Sequence, residues 1–112
     1  MEIRIGYRIV EYKDDKFMSL FHGTQHSRII HIGRWNKADS KMVTDGSNTK
    51  EYLSGYHYFP DMKDAFAFFN RLKIKENRSV VRVQVRGDLR PKPSNPKVWL
   101  ADEMMIIRFW DR

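Results

Sequence analysis

A strict alternation of apolar and polar residues is the feature that most constrains the fold of this chain. The segment 79–86 reads SVVRVQVR, with its valines at every second position. Successive side chains of a β-strand point to opposite faces of a sheet, so this segment predicts a strand with one buried face. Residues 2–12 show the same period, because isoleucines alternate with Arg4, Gly6 and Arg8. They predict a second half-buried strand, with the isoleucines on one side and the arginines on the other.

A different spacing follows Pro60. Asp61 is an N-cap residue type, and an apolar stripe with helical spacing begins directly after it. The members of the stripe are Met62, Ala65, Phe66, Phe69 and Leu72. This pattern predicts one principal helix over about 61–73.

The rest of the chain contains further short strands and two irregular segments. Residues 22–55 are rich in glycine and short polar side chains, which predicts a long irregular loop. Residues 90–96 contain three prolines, which predicts no regular structure there. The fold class expected for residues 1–112 is one α+β domain. Its sheet is bent and mainly antiparallel, with roughly five or six strands, and packs on the helix.

Composition limits the chemistry of the chain. The 112 residues contain no cysteine, which excludes a disulfide scaffold, a cysteine-ligated zinc site and a cysteine nucleophile. The four histidines show no metal-ligand spacing, so we expect no metal site. No stretch approaches the roughly 18 apolar residues of a membrane span. The amino terminus alternates apolar and charged residues, unlike a signal peptide. We therefore expect a cytoplasmic protein without a membrane partner.

The charge of the chain favours anionic partners. It has 21 Lys and Arg against 14 Asp and Glu, a net charge of +7. Arginines next to aromatic residues, as in Tyr7-Arg8 and Arg34-Trp35, could stack a base and contact phosphate. A histidine and a glycine after a strand could present a side chain and bare backbone to a ligand. The candidate ligand-binding residues are His22, Gly23, Thr24, Arg34, Trp35, Tyr56 and Arg86.

Three short motifs carry a resemblance to a known enzyme family. They are the segments LFHGT, GYHYF before the helix, and ADEMMI near the end of the chain. In this order they resemble the His-Tyr-Glu pattern of ADP-ribosyltransferases of the diphtheria-toxin and poly-ADP-ribose-polymerase type. The resemblance implies NAD as the cofactor. It also implies catalytic roles for His22, Tyr58 and Glu103, and ribose contacts for His22 and Gly23.

A second resemblance extends over more of the chain. The segments SLFHGT, WNKADSKMVTDGS, SGYHYF, RGDLRPK and VWLADEM resemble small proteins of tailed phages and prophages that carry no known activity. This resemblance implies an accessory protein in the cytoplasm of a bacterial host. The leading hypothesis is such a protein without a cofactor, binding a nucleotide or nucleic acid rather than catalysing a reaction. The alternatives are the NAD-using transferase and an inhibitor that binds an acidic host protein.

Overall fold

The computed structural model describes residues 2–19, 29–39, 41–44 and 50–109. The elements in these ranges are, in chain order, β1 (Ile3–Lys13), β2 (Lys16–Ser19), β3 (Ile29–Ile30), β4 (Asn36–Lys37), β5 (Met42–Thr44), β6 (Glu51–Leu53), β7 (Tyr56–Tyr58), α1 (Met62–Arg71), β8 (Arg78–Arg86), β9 (Arg90–Lys92), β10 (Asn95–Ala101) and β11 (Glu103–Phe109). The expected fold class is confirmed, since an antiparallel sheet packs against one principal helix within the described ranges.

The largest sheet has six strands in the order β3-β2-β1-β8-β11-β4, and it curves into a nearly closed barrel. The alternating strand β8 lies between β1 and β11 and pairs antiparallel with both. Three of its valines, Val81, Val83 and Val85, are fully buried in the interior together with Met104 and Val10. The burial of this valine row confirms the strand predicted for residues 79–86.

The side of β1 that faces the interior is the opposite of the one its sequence suggests. Gly6 pairs with Val83 of β8, and directly paired residues of antiparallel strands lie on the same face. Gly6 and Arg8 therefore share the interior face with the valine row. Ile3 and Ile5 lie on the other face and are 50% and 38% exposed. Pairing with a strongly apolar partner strand has determined the orientation of β1, against its own apolar pattern.

The helix α1 confirms the one predicted over about 61–73, and it ends two residues earlier, at Arg71. The Asp61 side chain accepts a hydrogen bond of 2.9 Å from the backbone N–H of Lys63, so it caps the amino terminus. Leu72 is extended and ends the helix. Ala65 is completely buried against the outer face of β1 and β8, in a cluster that contains Phe59. The outer face of the large sheet is covered at this point by α1.

Two segments predicted to be irregular contain short strands. In the described part of 22–55, four strands of two or three residues occur. Such strands are too short to show a period in the sequence. Residues 90–96 contribute β9 and the start of β10, in a small sheet with the order β7-β10-β9. Pro91 lies in β9, an edge strand, which is where a sheet tolerates proline.

Candidate anion-binding site

Arg8 lies where strand β1 changes its partner. Along one edge β1 pairs with β8. Along the other edge it pairs with β2 from Val10 onward, and at Tyr7 it exchanges two backbone hydrogen bonds with Phe59, just after β7. The Arg8 guanidinium spans the gap between β2 and β7. Its Nη1 donates to the carbonyl oxygen of His57 at 2.7 Å, and its Nη2 donates to Ser19 Oγ at 2.8 Å.

The positive charge of Arg8 has no carboxylate partner among the described residues. Its Nε is buried and makes no hydrogen bond within them. The centroid of the Tyr56 ring lies 5.5 Å from the Arg8 guanidinium carbon. Burial lowers the pKa of Arg8 to about 10, and the neighbouring Tyr56 opposes this lowering. A desolvated cation without a counter-ion is costly, and it is a recognised indication of a functional site.

Arg8 lines a pocket of about 240 Å³ between the large sheet, the helix and the β9–β10 hairpin. We call it the Arg8 pocket. Its polar lining residues are Arg8, His57, Lys92 and Asn95, and its apolar ones are Ile9, Phe59, Phe68 and Val98. No Asp or Glu lines it among the described residues. Lys92 supplies a second cation and makes no ion pair within the described ranges. The pocket therefore combines positive charge with an apolar wall.

A second cleft differs from the Arg8 pocket in the charge of its lining. This cleft, of about 380 Å³, is lined by Tyr58 and Trp99 among others, and its charged residues are Glu2 and Arg4. These two form an ion pair of 3.0 Å and cancel each other's charge. The cleft is therefore neutral overall, whereas the Arg8 pocket carries an uncompensated positive charge.

Two of the predicted binding residues, Trp35 and Arg86, do meet in the structure. The guanidinium carbon of Arg86 lies 3.9 Å from the centroid of the Trp35 ring. The same guanidinium donates from Nε and Nη2 to the two carboxylate oxygens of Glu103, at 3.2 and 3.1 Å. Arg86 thus stacks on Trp35 and forms an ion pair with Glu103, so its charge is compensated. The cluster joins the loop before β4 to the ends of β8 and β11.

We expect Arg86→Gln to destabilise the fold by roughly 1 kcal/mol, because it removes a cation–π contact and a partly exposed ion pair. Thermal unfolding followed by tryptophan fluorescence measures the loss, and the variant Trp35→Phe shows which part of the emission comes from Trp35, since the chain has three tryptophans. Arg86→Lys is the matched control, since it keeps the charge beside Glu103 but not the flat stacked group. An unchanged midpoint and emission spectrum in Arg86→Gln would contradict the assignment of this cluster.

The other predicted residues are distributed as follows. His22, Gly23 and Thr24 lie outside the described residues. Arg34 is exposed, and its carbonyl oxygen accepts a hydrogen bond from Asn36. Tyr56 is half-buried beside Arg8, and burial is the main cause that raises its pKa.

Two residues of the transferase hypothesis are described. Tyr58 is 2% exposed, and its ring packs against Gly6 so closely that a Cβ there would lie 2.4 Å from Cδ2. Glu103 is paired with Arg86. No hydrogen bond or ring contact joins Tyr58 to Glu103 within the described part of the chain. The catalytic role of Glu103 stays a prediction.

Sequence reasoning singled out Arg8 as half of a Tyr-Arg pair but did not place it in the site, and it missed Lys92. In the sequence, Arg8 is one of the polar residues that alternate with apolar ones along 2–12. This pattern predicts an arginine on the outward face of a strand. Lys92 lies between two prolines, in a segment for which no strand was expected. Arg8 is brought beside the segment after β7 by the bridge between Tyr7 and Phe59, and Lys92 is placed by the pairing of β9 with β10.

Comparisons of the chain with protein-family models, with curated proteins and with solved structures gave no match. Among the described residues, no group of three or more His, Asp or Glu side chains could hold a metal ion. Within the same ranges, no helix is both long and apolar enough to cross a membrane.

Proposed function

We propose that this chain is a binding protein for a small anionic ligand of the nucleotide class, and that the Arg8 pocket is its binding site. The single observation that carries the proposal is the partly buried guanidinium of Arg8, which has a buried, unbonded Nε and no carboxylate partner among the described residues. A residue with a purely structural role in this position would be expected to have an acidic neighbour, because desolvating an unpaired charge is unfavourable. An anionic ligand would supply the missing counter-ion.

The lining of the pocket supports a ligand with an apolar or aromatic part beside its charge. Phe59 and Phe68 pack with their ring centroids 5.7 Å apart, and both line the pocket together with Val98. Such a wall can hold the flat face of a base while the cations contact phosphate. This combination favours a nucleotide over an inorganic anion alone. It agrees with the net charge of +7 and with an accessory protein of the phage type in a bacterial cytoplasm.

The test is calorimetric titration with adenosine and guanosine 5′-monophosphates, using the wild type and the variant Arg8→Met. Methionine keeps an unbranched side chain but has no charge and no N–H donors. Charge-assisted hydrogen bonds contribute about 1.5–3 kcal/mol each, so we expect binding to weaken by roughly tenfold or more.

Arg4→Met is the matched control for the titration. Arg4 lies on the same strand, is exposed, and lines the neutral cleft rather than the Arg8 pocket. Both variants lower the net charge by one, so a general electrostatic effect would weaken binding equally in the two. Loss in Arg8→Met with nearly unchanged affinity in Arg4→Met supports the proposal. Equal affinities in all three proteins, or no binding to the folded wild type, would overturn it.

A further inference from the structure

The charge of the Arg8 pocket narrows the class of ligand, if the proposed function holds. Two cations, Arg8 and Lys92, line the pocket, and among the described residues no carboxylate does. A phosphomonoester carries close to two negative charges at neutral pH, because its second pKa is about 6. The internal phosphodiester of a nucleic acid carries only one. The charge of the lining therefore matches a monoester better than a diester.

The hydrogen-bond donors of the Arg8 guanidinium also favour a phosphomonoester. A guanidinium has five N–H groups, and in Arg8 one on Nη1 and one on Nη2 are used by the His57 carbonyl oxygen and by Ser19 Oγ. The remaining hydrogens of these two nitrogens can bind the oxygens of one anion in the fork geometry that arginine offers to phosphate. A monoester has three terminal oxygens for these donors and for the Lys92 ammonium, whereas a diester has two.

The size of the pocket also favours a terminal group. A volume of about 240 Å³ accommodates a phosphate and part of a sugar or base, but little more. Arg8 and Lys92 line the same pocket. A phosphate at the end of a molecule brings one substituent into this volume, whereas an internal phosphate brings two.

We propose that the Arg8 pocket recognises a terminal phosphomonoester, with Arg8 and Lys92 sharing its two negative charges. This inference rests on the proposed function and specifies its ligand. The same chemistry occurs in a free nucleoside monophosphate and at the 5′-phosphorylated end of an oligonucleotide.

The experiment compares adenosine 5′-monophosphate with its methyl phosphodiester by calorimetry at one pH and one salt concentration. The two probes share base and sugar and differ in one charge and one methyl group. We expect the monoester to bind at least tenfold more tightly to the wild type. In Lys92→Met this preference should fall to a few-fold, since the second charge has lost its partner. Lys97→Met is the control, because Lys97 lies on the same hairpin and does not line the pocket.

The outcomes separate the two proposals. If both probes bind equally well and both depend on Arg8, the terminal-phosphate inference is wrong while anion binding at Arg8 stands. If neither probe binds, both proposals fail. If the preference for the monoester is the same in Lys92→Met as in the wild type, the role given to Lys92 is wrong. A parallel titration with a short oligonucleotide, with and without its 5′-phosphate, shows whether the ligand is a nucleic-acid end or a free nucleotide. Preference for the phosphorylated end over the monophosphate indicates nucleic-acid ends, and the reverse order indicates free nucleotides.

Discussion

Replacing Gly6 with alanine is expected to destabilise the fold by about 1–3 kcal/mol, as overpacking of a well-packed core does. A Cβ at position 6 would lie 2.4 Å from Cδ2 of Tyr58, far inside van der Waals contact. Tyr58 is only 2% exposed and belongs to the core cluster that contains Val83, so a shift of its ring disturbs the packing around it. For a domain of this size the midpoint of thermal unfolding should fall by roughly 5–15 °C.

The control for this change removes the ring of Tyr58 and keeps Gly6. Tyr58→Ala removes the three ring atoms that the new methyl group would meet. We expect the double variant with Gly6→Ala to be less destabilised than the sum of the two single changes, since the clash requires both the new methyl group and the wild-type ring of Tyr58. Strictly additive losses would show that the contact between Gly6 and Tyr58 is not the reason for a glycine at this position.

Asn36→Asp is expected to cost about 3 kcal/mol, although the two side chains have nearly the same shape. Asn36 is 7% exposed and lies in β4, an end strand of the large sheet. Its Oδ1 accepts from the backbone N–H of His31 at 2.9 Å. Its Nδ2 donates to the carbonyl oxygens of His31, Arg34 and Met104 at 2.9, 3.2 and 3.2 Å. A carboxylate would place negative oxygen against these carbonyl groups, and urea unfolding measures the loss.

The pH dependence of Asn36→Asp gives an internal check on this explanation. Burial beside three carbonyl oxygens would raise the pKa of the new carboxyl group above its unfolded value of about 3.9. The folded variant would then bind its proton more tightly than the unfolded chain. Its deficit relative to the wild type is therefore largest at neutral pH and shrinks as the pH falls through the raised pKa. A deficit that is the same at pH 7 and pH 5 would speak against charge–carbonyl repulsion as the cause.

The long-range strand pairings explain what the sequence could and could not predict about the fold. The helix and β8 each carry a complete periodic pattern, so both were predictable from local residues alone. The orientation of β1 was not, because Gly6 and Arg8 face inward only through their pairing with the valines of β8. Asn36 of β4 bonds to the backbone of the preceding turn and of β11, and these bonds hold β4 at the end of the large sheet. Such a bond has no sequence pattern of its own.

The candidate site was predictable in its chemistry and not in its location. The basic net charge and the arginine–aromatic pairs drew attention to Tyr56, which lies beside Arg8. They also drew attention to Arg86, whose charge is compensated by Glu103 in the structure. Residues that lie on separate segments of the chain determine which arginine has a counter-ion. The sequence therefore contains the candidates, and only the tertiary structure separates Arg8 from Arg86.

The unpaired charge of Arg8 also has a consequence for stability. Burial lowers the pKa of Arg8 to about 10, so folding is disfavoured as long as the guanidinium stays charged. The folded state holds this proton less tightly than the unfolded chain, so this unfavourable effect is complete below about pH 10 and fades only above it.

Nuclear magnetic resonance of the Arg8 side chain tests the central claim most directly. The Nε–Hε resonance of Arg8 can be assigned by its absence from the spectrum of Arg8→Met, and it reports on the surroundings of the guanidinium. During titration with adenosine 5′-monophosphate we expect this resonance to shift progressively, with the same dissociation constant that calorimetry gives. Resonances of Arg86 and of the Trp35 indole should stay in place. A ligand that binds while the Arg8 resonance does not move would contradict the assignment of the site.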